Sequence, residues 1–277
     1  MKIIKTKNGI SLKHITNFDL SQTFDCGQCF RWEKINDKHH GIVHDKSIVM
    51  FQDENEILIE NISLSEFKNF WFDYFDLGTD YKKIGEDLAE TSSTLAKAHE
   101  QCKGIRILKQ DPWETLCSFI ISQNNNIPRI KKIISSLCFH FGNKVGKDFS
   151  FPSAEKISTL SLEDLSPIKS GFRAKYILDA ARKVANKQIN FETLSNTDVV
   201  SARNSLMEIK GVGPKVADCV LLYGLHKLEA FPIDVWMKRV METFFYKKSP
   251  QMFGSYAGVA QQYLYHYSRT NPEILKI

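Results

Sequence analysis

No stretch of this 277-residue chain approaches 18 consecutive apolar residues, so no membrane-spanning helix is expected. The opening residues, MKIIKTKNGISLKHI, interrupt every short apolar run with lysine and do not read as a secretion signal. A cytoplasmic protein is expected, associated with the nucleoid if the source is prokaryotic. Repeats, low-complexity tracts and a long linker are missing, and 43% hydrophobic with 25% charged residues excludes a fibrous or disordered chain. Six scattered cysteines do not make a disulfide framework in a chain large enough to bury its own core. Cys26-Gly27-Gln28-Cys29 has metal or redox spacing, but no second pair completes a zinc site, and two ordinary cysteines flanking a turn account for it.

What is present is an uneven charge. Through Gly104 there are 13 Lys and Arg against 17 Asp and Glu; the remainder carries 24 against 15 of the chain totals of 37 and 32. A basic second part is what a polyanion-binding surface requires, although solvated surface charge alone gives the same count. The pattern of elements changes at the same place. Phe30-Arg31-Trp32, Ile42-Val43 and Ser47 to Phe51 read as strands, and Gln52-Asp53-Glu54-Asn55 separates the last from Ile57-Leu58-Ile59 as a hairpin. Helical spacing appears over 63–75 and 81–100. After Gly104, Asp111-Pro112 opens a helix through Ile121, Gln123 to Asn126 breaks it, and Pro128 begins another to about Phe141. Further helices are predicted at 154–160, 173–187, 198–209, 214–225, 235–246 and 254–268. The expected class is α+β: an N-terminal antiparallel twisted sheet domain over 1–104, then a mainly helical domain over 105–277.

The densest signal lies at Leu206 to Tyr223. A helix ends at Lys210, Gly211-Val212-Gly213 turns, and Pro214 starts the next helix, which together make a helix-hairpin-helix. Glycines permit positive φ and close backbone approach, and the turn amides with the new helix's N-terminus form an anion site suited to a phosphate. A tight helix–helix corner explains the same glycines. Lys215 falls at the second position of that helix, where a cation opposes the helix dipole and the neutral amine is favoured. A neutral amine is the nucleophile of Schiff-base chemistry, whereas an idle lysine there would merely touch phosphate. Asp234, after Phe231-Pro232-Ile233, is an N-cap candidate, and a carboxylate fixed at a helix start also suits stabilisation of a cationic sugar.

Gly211 to Cys219, followed 19 positions after the lysine by Pro232-Ile233-Asp234, resembles the helix-hairpin-helix DNA glycosylases. Within that HhH-GPD superfamily the chain is similar to the 8-oxoguanine DNA glycosylases over four segments in the same order. These are Cys26 to Trp32, Gln110 to Ile130, Gly171-Phe172-Arg173-Ala174-Lys175-Tyr176, and the hairpin with its aspartate. The resemblance implies a bifunctional glycosylase and AP lyase of base excision repair, acting on duplex DNA with 8-oxoguanine opposite cytosine. Lys215 would attack C1′, expel the base and form an imine that eliminates the 3′ phosphate; Asp234 would steady the oxocarbenium ion. Cys219 and Tyr265 would sandwich the flipped base, Gln261 would read its Watson–Crick edge, and the Gly27 carbonyl would accept its N7–H. Asn124, Arg129 and Arg173 would contact the orphaned cytosine, Phe172 would fill the gap, and Gly211, Val212 and Gly213 would hold phosphate. No cofactor is implied and no iron–sulfur cluster, because the four-cysteine pattern of the endonuclease III branch is absent. No metal is required, although the carbonyls of Met207, Ile209 and Val212 offer a place for a monovalent or divalent cation. A monomer is expected.

The chemistry of recognition fits these implications. N7 is an acceptor in guanine and a donor in 8-oxoguanine, so a fixed carbonyl attracts one and repels the other. Read without the resemblance, Asn124 to Asn126 make a polar turn, and Arg129 and Arg173 a solvated helix face. Two departures stand out: Trp236 occupies a position where many relatives have a phosphate-contacting histidine, and Tyr265 adds a hydroxyl to the usual phenylalanine. Two other activities compete. An alkylated-base glycosylase of the same fold would use the aspartate and water without the hairpin lysine. A non-catalytic DNA-binding module would need neither Lys215 nor Asp234.

Overall fold

Lys7-Asn8 joins two short runs of alternating character, and in the computed structural model, which describes residues 1–54 and 56–275, these pair as β1 (Lys2–Thr6) and β2 (Gly9–Lys13). The remaining strands are β3 (Trp32–Ile35), β4 (Lys38–Val43), β5 (Lys46–Asp53) and β6 (Glu56–Glu60), in the antiparallel sheet order β1-β2-β6-β5-β4-β3. The β5–β6 hairpin follows the sequence expectation, with Asn55 of its turn outside the described residues. The β1–β2 hairpin was not expected, although period-two alternation around Asn8-Gly9 is a hairpin signal. Gly41 is demanded by packing: it pairs with Trp32 across β3 and β4, and a Cβ there would lie 2.6 Å from the indole.

The chain forms two compact units. The first comprises Met1–Gln28, Met50–Lys109 and the chain from His226 onward; the second comprises Cys29–Val49 and Gln110–Leu225. Each takes segments from both sides of residue 104. In the first unit, the inward face of β2 and β6 (Ile10, Leu12, Ile57, Ile59) is fully buried, and Phe18, Trp71, Tyr74 and Phe75 form an aromatic cluster with ring centroids 5.1–5.7 Å apart. Its helices include Leu20–Asp25, Tyr81–Ala89, Ser93–Cys102, Val235–Phe244 and Ala257–Thr270.

The second unit is built from helices Pro112–Ser122, Ile127–Phe141, Ala174–Ala185, Val199–Met207 and Pro214–Cys219, the last continuing as a π-helical turn over Val220–Gly224. Caps decide where they start. Asp111 accepts from the Glu114 amide at 2.7 Å, Asn126 from Arg129 at 3.0 Å, and Asp198 from Val200 and Ser201 at 3.0 Å each. The expected helix over 254–268 begins three residues later, at Ala257, because Gly254 holds a positive φ of 60°. A short helix, Phe191–Ser195, had no periodic signal in the sequence. No helix among the described residues is long and apolar enough to cross a membrane.

Candidate functional site

The hairpin is anchored from the helix Ala174–Ala185. Asp179 accepts from the Lys210 amide at 2.9 Å, and the Lys183 ammonium donates to the Glu208 carbonyl. Gly211 takes φ +80°, and a Cβ there would press to 2.4 Å of the Tyr176 ring. Its glycine is therefore required by the protein itself. Gly213 differs: its φ of −102° is ordinary, and a Cβ would meet nothing within 4 Å. The fold has no need of glycine at 213, and glycine there leaves the backbone open to close approach. No side chain caps the N-terminus of the helix Pro214–Cys219, so its first free amides lack the partner that a capping residue would supply. Of the three carbonyls named for a cation, that of Ile209 already accepts the Val212 amide at 3.0 Å. Among the described residues, no group of three His, Cys, Asp or Glu side chains is placed to hold a metal ion.

Lys215 is half-buried, with its Nζ 4.8 Å from the centroid of Phe119. Phe119 is itself held edge-on by Phe30 and stacked on Tyr223, so the lysine rests on a rigid aromatic floor. Cys219, one turn along the same helix, is buried. Asp218 between them accepts from Arg203 Nε at 2.6 Å, which ties together the two helices of the hairpin. Burial raises the Asp218 carboxyl above its usual range, and Arg203 opposes the shift. Neither Arg203 nor Asp218 stood out in the sequence, because nothing local marks a pair 15 residues apart.

The turn after Ser122 places Asn124 at the surface with φ +47°. Arg129 is exposed nearby, but Arg173 is not on a solvated face. It is 3% exposed and donates to the carbonyls of Gln123 (Nε, 3.0 Å), Asn124 (3.0 Å) and Ser170 (3.3 Å), with a further, shorter bond to Gln123. Desolvation, with the like charge of Arg129, lowers its pKa. Arg173 therefore shapes the Asn124 turn in this structure. Its neighbour Phe172 is 51% exposed, next to Gly171 at φ +61°, and its ring lies 4.4 Å beneath the Arg173 guanidinium.

In the first unit, Asp234 caps the helix Val235–Phe244, accepting from the Met237 amide at 2.7 Å. Trp236 does not offer its N–H outward: Nε1 donates to Ser268 Oγ at 2.6 Å, and Arg269 lies 5.1 Å over the ring. Gly27 holds φ +82°, a conformation unfavourable for any residue with a side chain, and a Cβ there would stand 3.5 Å from Tyr265 Cε1. Gln261 is buried on the same helix as Tyr265. The six cysteines are all buried thiols without disulfides, and burial pushes Cys26 up to about 12.

Two family models match the chain: "8-oxoguanine DNA glycosylase, N-terminal domain" over residues 11–116, and "HhH-GPD superfamily base excision DNA repair protein" over 117–252. The chain is 36% identical to an N-glycosylase/DNA lyase of Saccharomyces cerevisiae, over 80% of this chain and 66% of that protein. It is 31% identical to a probable N-glycosylase/DNA lyase of Methanothermobacter thermautotrophicus, over 70% of this chain and 72% of the other. Among solved structures, the Clostridium acetobutylicum 8-oxoguanine glycosylase/lyase, in complex with DNA containing cytosine opposite 8-oxoguanine, superposes with a TM-score of 0.92. It is 36% identical, covering 98% of this chain and 99% of that one.

Proposed function

Because the chain belongs to the 8-oxoguanine DNA glycosylases of the HhH-GPD superfamily, we propose that Lys215 is its nucleophile and Asp234 the carboxylate that accompanies it. The protein is a bifunctional DNA glycosylase/AP lyase that excises 8-oxoguanine from duplex DNA in base excision repair. The observation that carries the assignment is the placement of Lys215. It stands on the first turn after an anchored Gly-Val-Gly turn, half-accessible and steadied by Phe119. An alkylated-base glycosylase working through water has no use for that amine.

In this reading, the lysine lone pair attacks C1′ and the departing base keeps the electrons of the N-glycosidic bond. Asp234, rigid at its helix start, balances the positive charge that builds on the sugar. Ring opening leaves an imine between Nζ and C1′. Loss of a C2′ proton then expels the 3′ phosphate by β-elimination. The Gly211-Val212-Gly213 turn holds the DNA backbone. Gly27, Gln261 and Tyr265 of the first unit and Cys219 of the second are each assigned to the lesion base, and Asn124, Arg129, Phe172 and Arg173 to the cytosine and the gap. The enzyme acts as a monomer without cofactor, with 1–104 contributing lesion recognition and 105–277 catalysis and DNA binding. No step of this mechanism requires a cation on the Met207, Ile209 and Val212 carbonyls. The test is borohydride reduction during reaction with an 8-oxoguanine duplex: wild type should give a covalent protein–DNA complex, and Lys215→Gln none, while still binding the lesion. Near-wild-type base release by Lys215→Gln would refute the assignment.

A further inference from the structure

The loop that carries Gly27 is clamped on both sides by buried glutamines. On one side, Gln28 donates to the Thr23 carbonyl at 2.9 Å and the Arg106 carbonyl at 2.8 Å, and accepts from the Leu108 amide at 2.9 Å. On the other, Gln262 Nε2 donates to the Cys26 carbonyl at 2.7 Å. Gln262 is 1% exposed and lies 236 residues away in sequence, on the helix Ala257–Thr270. The Cys26 carbonyl belongs to the peptide plane that precedes Gly27. Fixing that plane leaves the φ of Gly27, +82°, and its ψ as the rotations that set where the Gly27 carbonyl points. The Gln28 clamp limits the second.

We propose that Gln262 is a positioning residue for lesion discrimination: by holding the Cys26–Gly27 peptide, it fixes the direction of the Gly27 carbonyl. The inference rests on the reading that this carbonyl accepts N7–H. A carbonyl discriminates donor from acceptor only if it cannot swing away from guanine's N7, so the rigidity of its peptide is part of the selectivity. The helix that holds Gln262 also carries Gln261 and Tyr265, so the base-edge reader, the stacking ring and the clamp on the carbonyl loop move as one element. Gln262 touches none of the reacting atoms.

The test measures equilibrium binding in a Lys215→Gln background, which binds without cutting. Duplexes carry 8-oxoguanine, guanine or a tetrahydrofuran abasic analogue opposite cytosine. Gln262→Met removes the donor at similar size, and Gln262→Glu replaces the donor with an acceptor facing the Cys26 carbonyl. Each should shrink the preference for 8-oxoguanine over guanine about tenfold, the scale of one lost buried hydrogen bond, and leave abasic-duplex affinity unchanged. Gly27→Ala should shrink the same preference, and the Gln262→Met, Gly27→Ala double variant should lose little more than the larger single effect. If Gly27→Ala loses the preference but both Gln262 variants keep it, the clamp is overturned and the Gly27 reading stands. If Gly27→Ala keeps the preference, that reading falls and the proposal falls with it. Equal losses on all three duplexes would make Gln262 a fold residue and overturn its role in discrimination.

Discussion

Arg173 and Arg129 have similar side-chain chemistry and opposite circumstances. The guanidinium of Arg173 is buried against three backbone carbonyls, whereas Arg129 stands in solvent at the start of its helix. Removing Arg173 leaves those carbonyls without their donor and frees the Asn124 turn. Arg173→Ala should therefore cost about 2–4 kcal/mol of stability and also erode the preference for cytosine opposite the lesion. Arg129→Ala should leave the melting temperature within about a degree, consistent with ordinary surface substitutions, and erode only the preference. Melting curves and single-turnover excision opposite each of the four bases would separate the two. Equal loss of affinity whatever the opposite base, in both variants, would make these arginines backbone clamps instead of readers. Trp236 is a case of the opposite kind. Its indole N–H is committed to Ser268, so Trp236 does not offer that donor to a phosphate.

The helix Val235–Phe244 begins with a residue that has two jobs, and they can be pulled apart. Asparagine caps a helix about as well as aspartate but carries no charge to set against a cationic sugar. Asp234→Asn should lose most excision activity while its melting temperature barely moves. A large drop in melting temperature with activity retained would leave capping as its whole purpose. The helix Pro112–Ser122 carries a titrating partner of another sort. Glu114 is half-buried beside Arg31, 3.2 Å away, and desolvation outweighs that arginine and raises the carboxyl to about 7. The folded state thus holds this proton more tightly than the unfolded chain does. Stability from this group is complete below the ordinary carboxyl range and is lost as pH rises towards about 7. Glu114→Gln should remove that decline from the melting temperature measured between pH 5 and 8. An unchanged pH profile would show that the pair with Arg31 keeps Glu114 ionised throughout.

Across the full chain, the features legible in the sequence are those with local causes. Helices 112–122 and 127–141 announce themselves through Asp111-Pro112 and Pro128, and the hairpin through its glycines and proline. Lys215 and Asp234 were legible because their positions at helix starts have chemical consequences that few other residues there would have. What stayed hidden is long-range. Arg173 reads as surface charge until Gln123 and Asn124 turn their carbonyls towards it, 50 and 49 residues away. Gln262 has no local feature that foretells the Cys26 carbonyl. The π-helical turn over Val220–Gly224 likewise leaves no mark on an apolar run that reads as plain helix.

The claim on which the rest depends is that the imine forms on Lys215, and the most direct measurement is to locate the bond. Wild-type protein is reduced with borohydride during reaction with a duplex carrying 8-oxoguanine opposite cytosine, then digested and sequenced by mass spectrometry. The reduced sugar remnant should sit on the Lys215 side chain, with the remaining lysines unmodified. A remnant on any other amine, or efficient strand cleavage with no trapped remnant at all, would contradict the account.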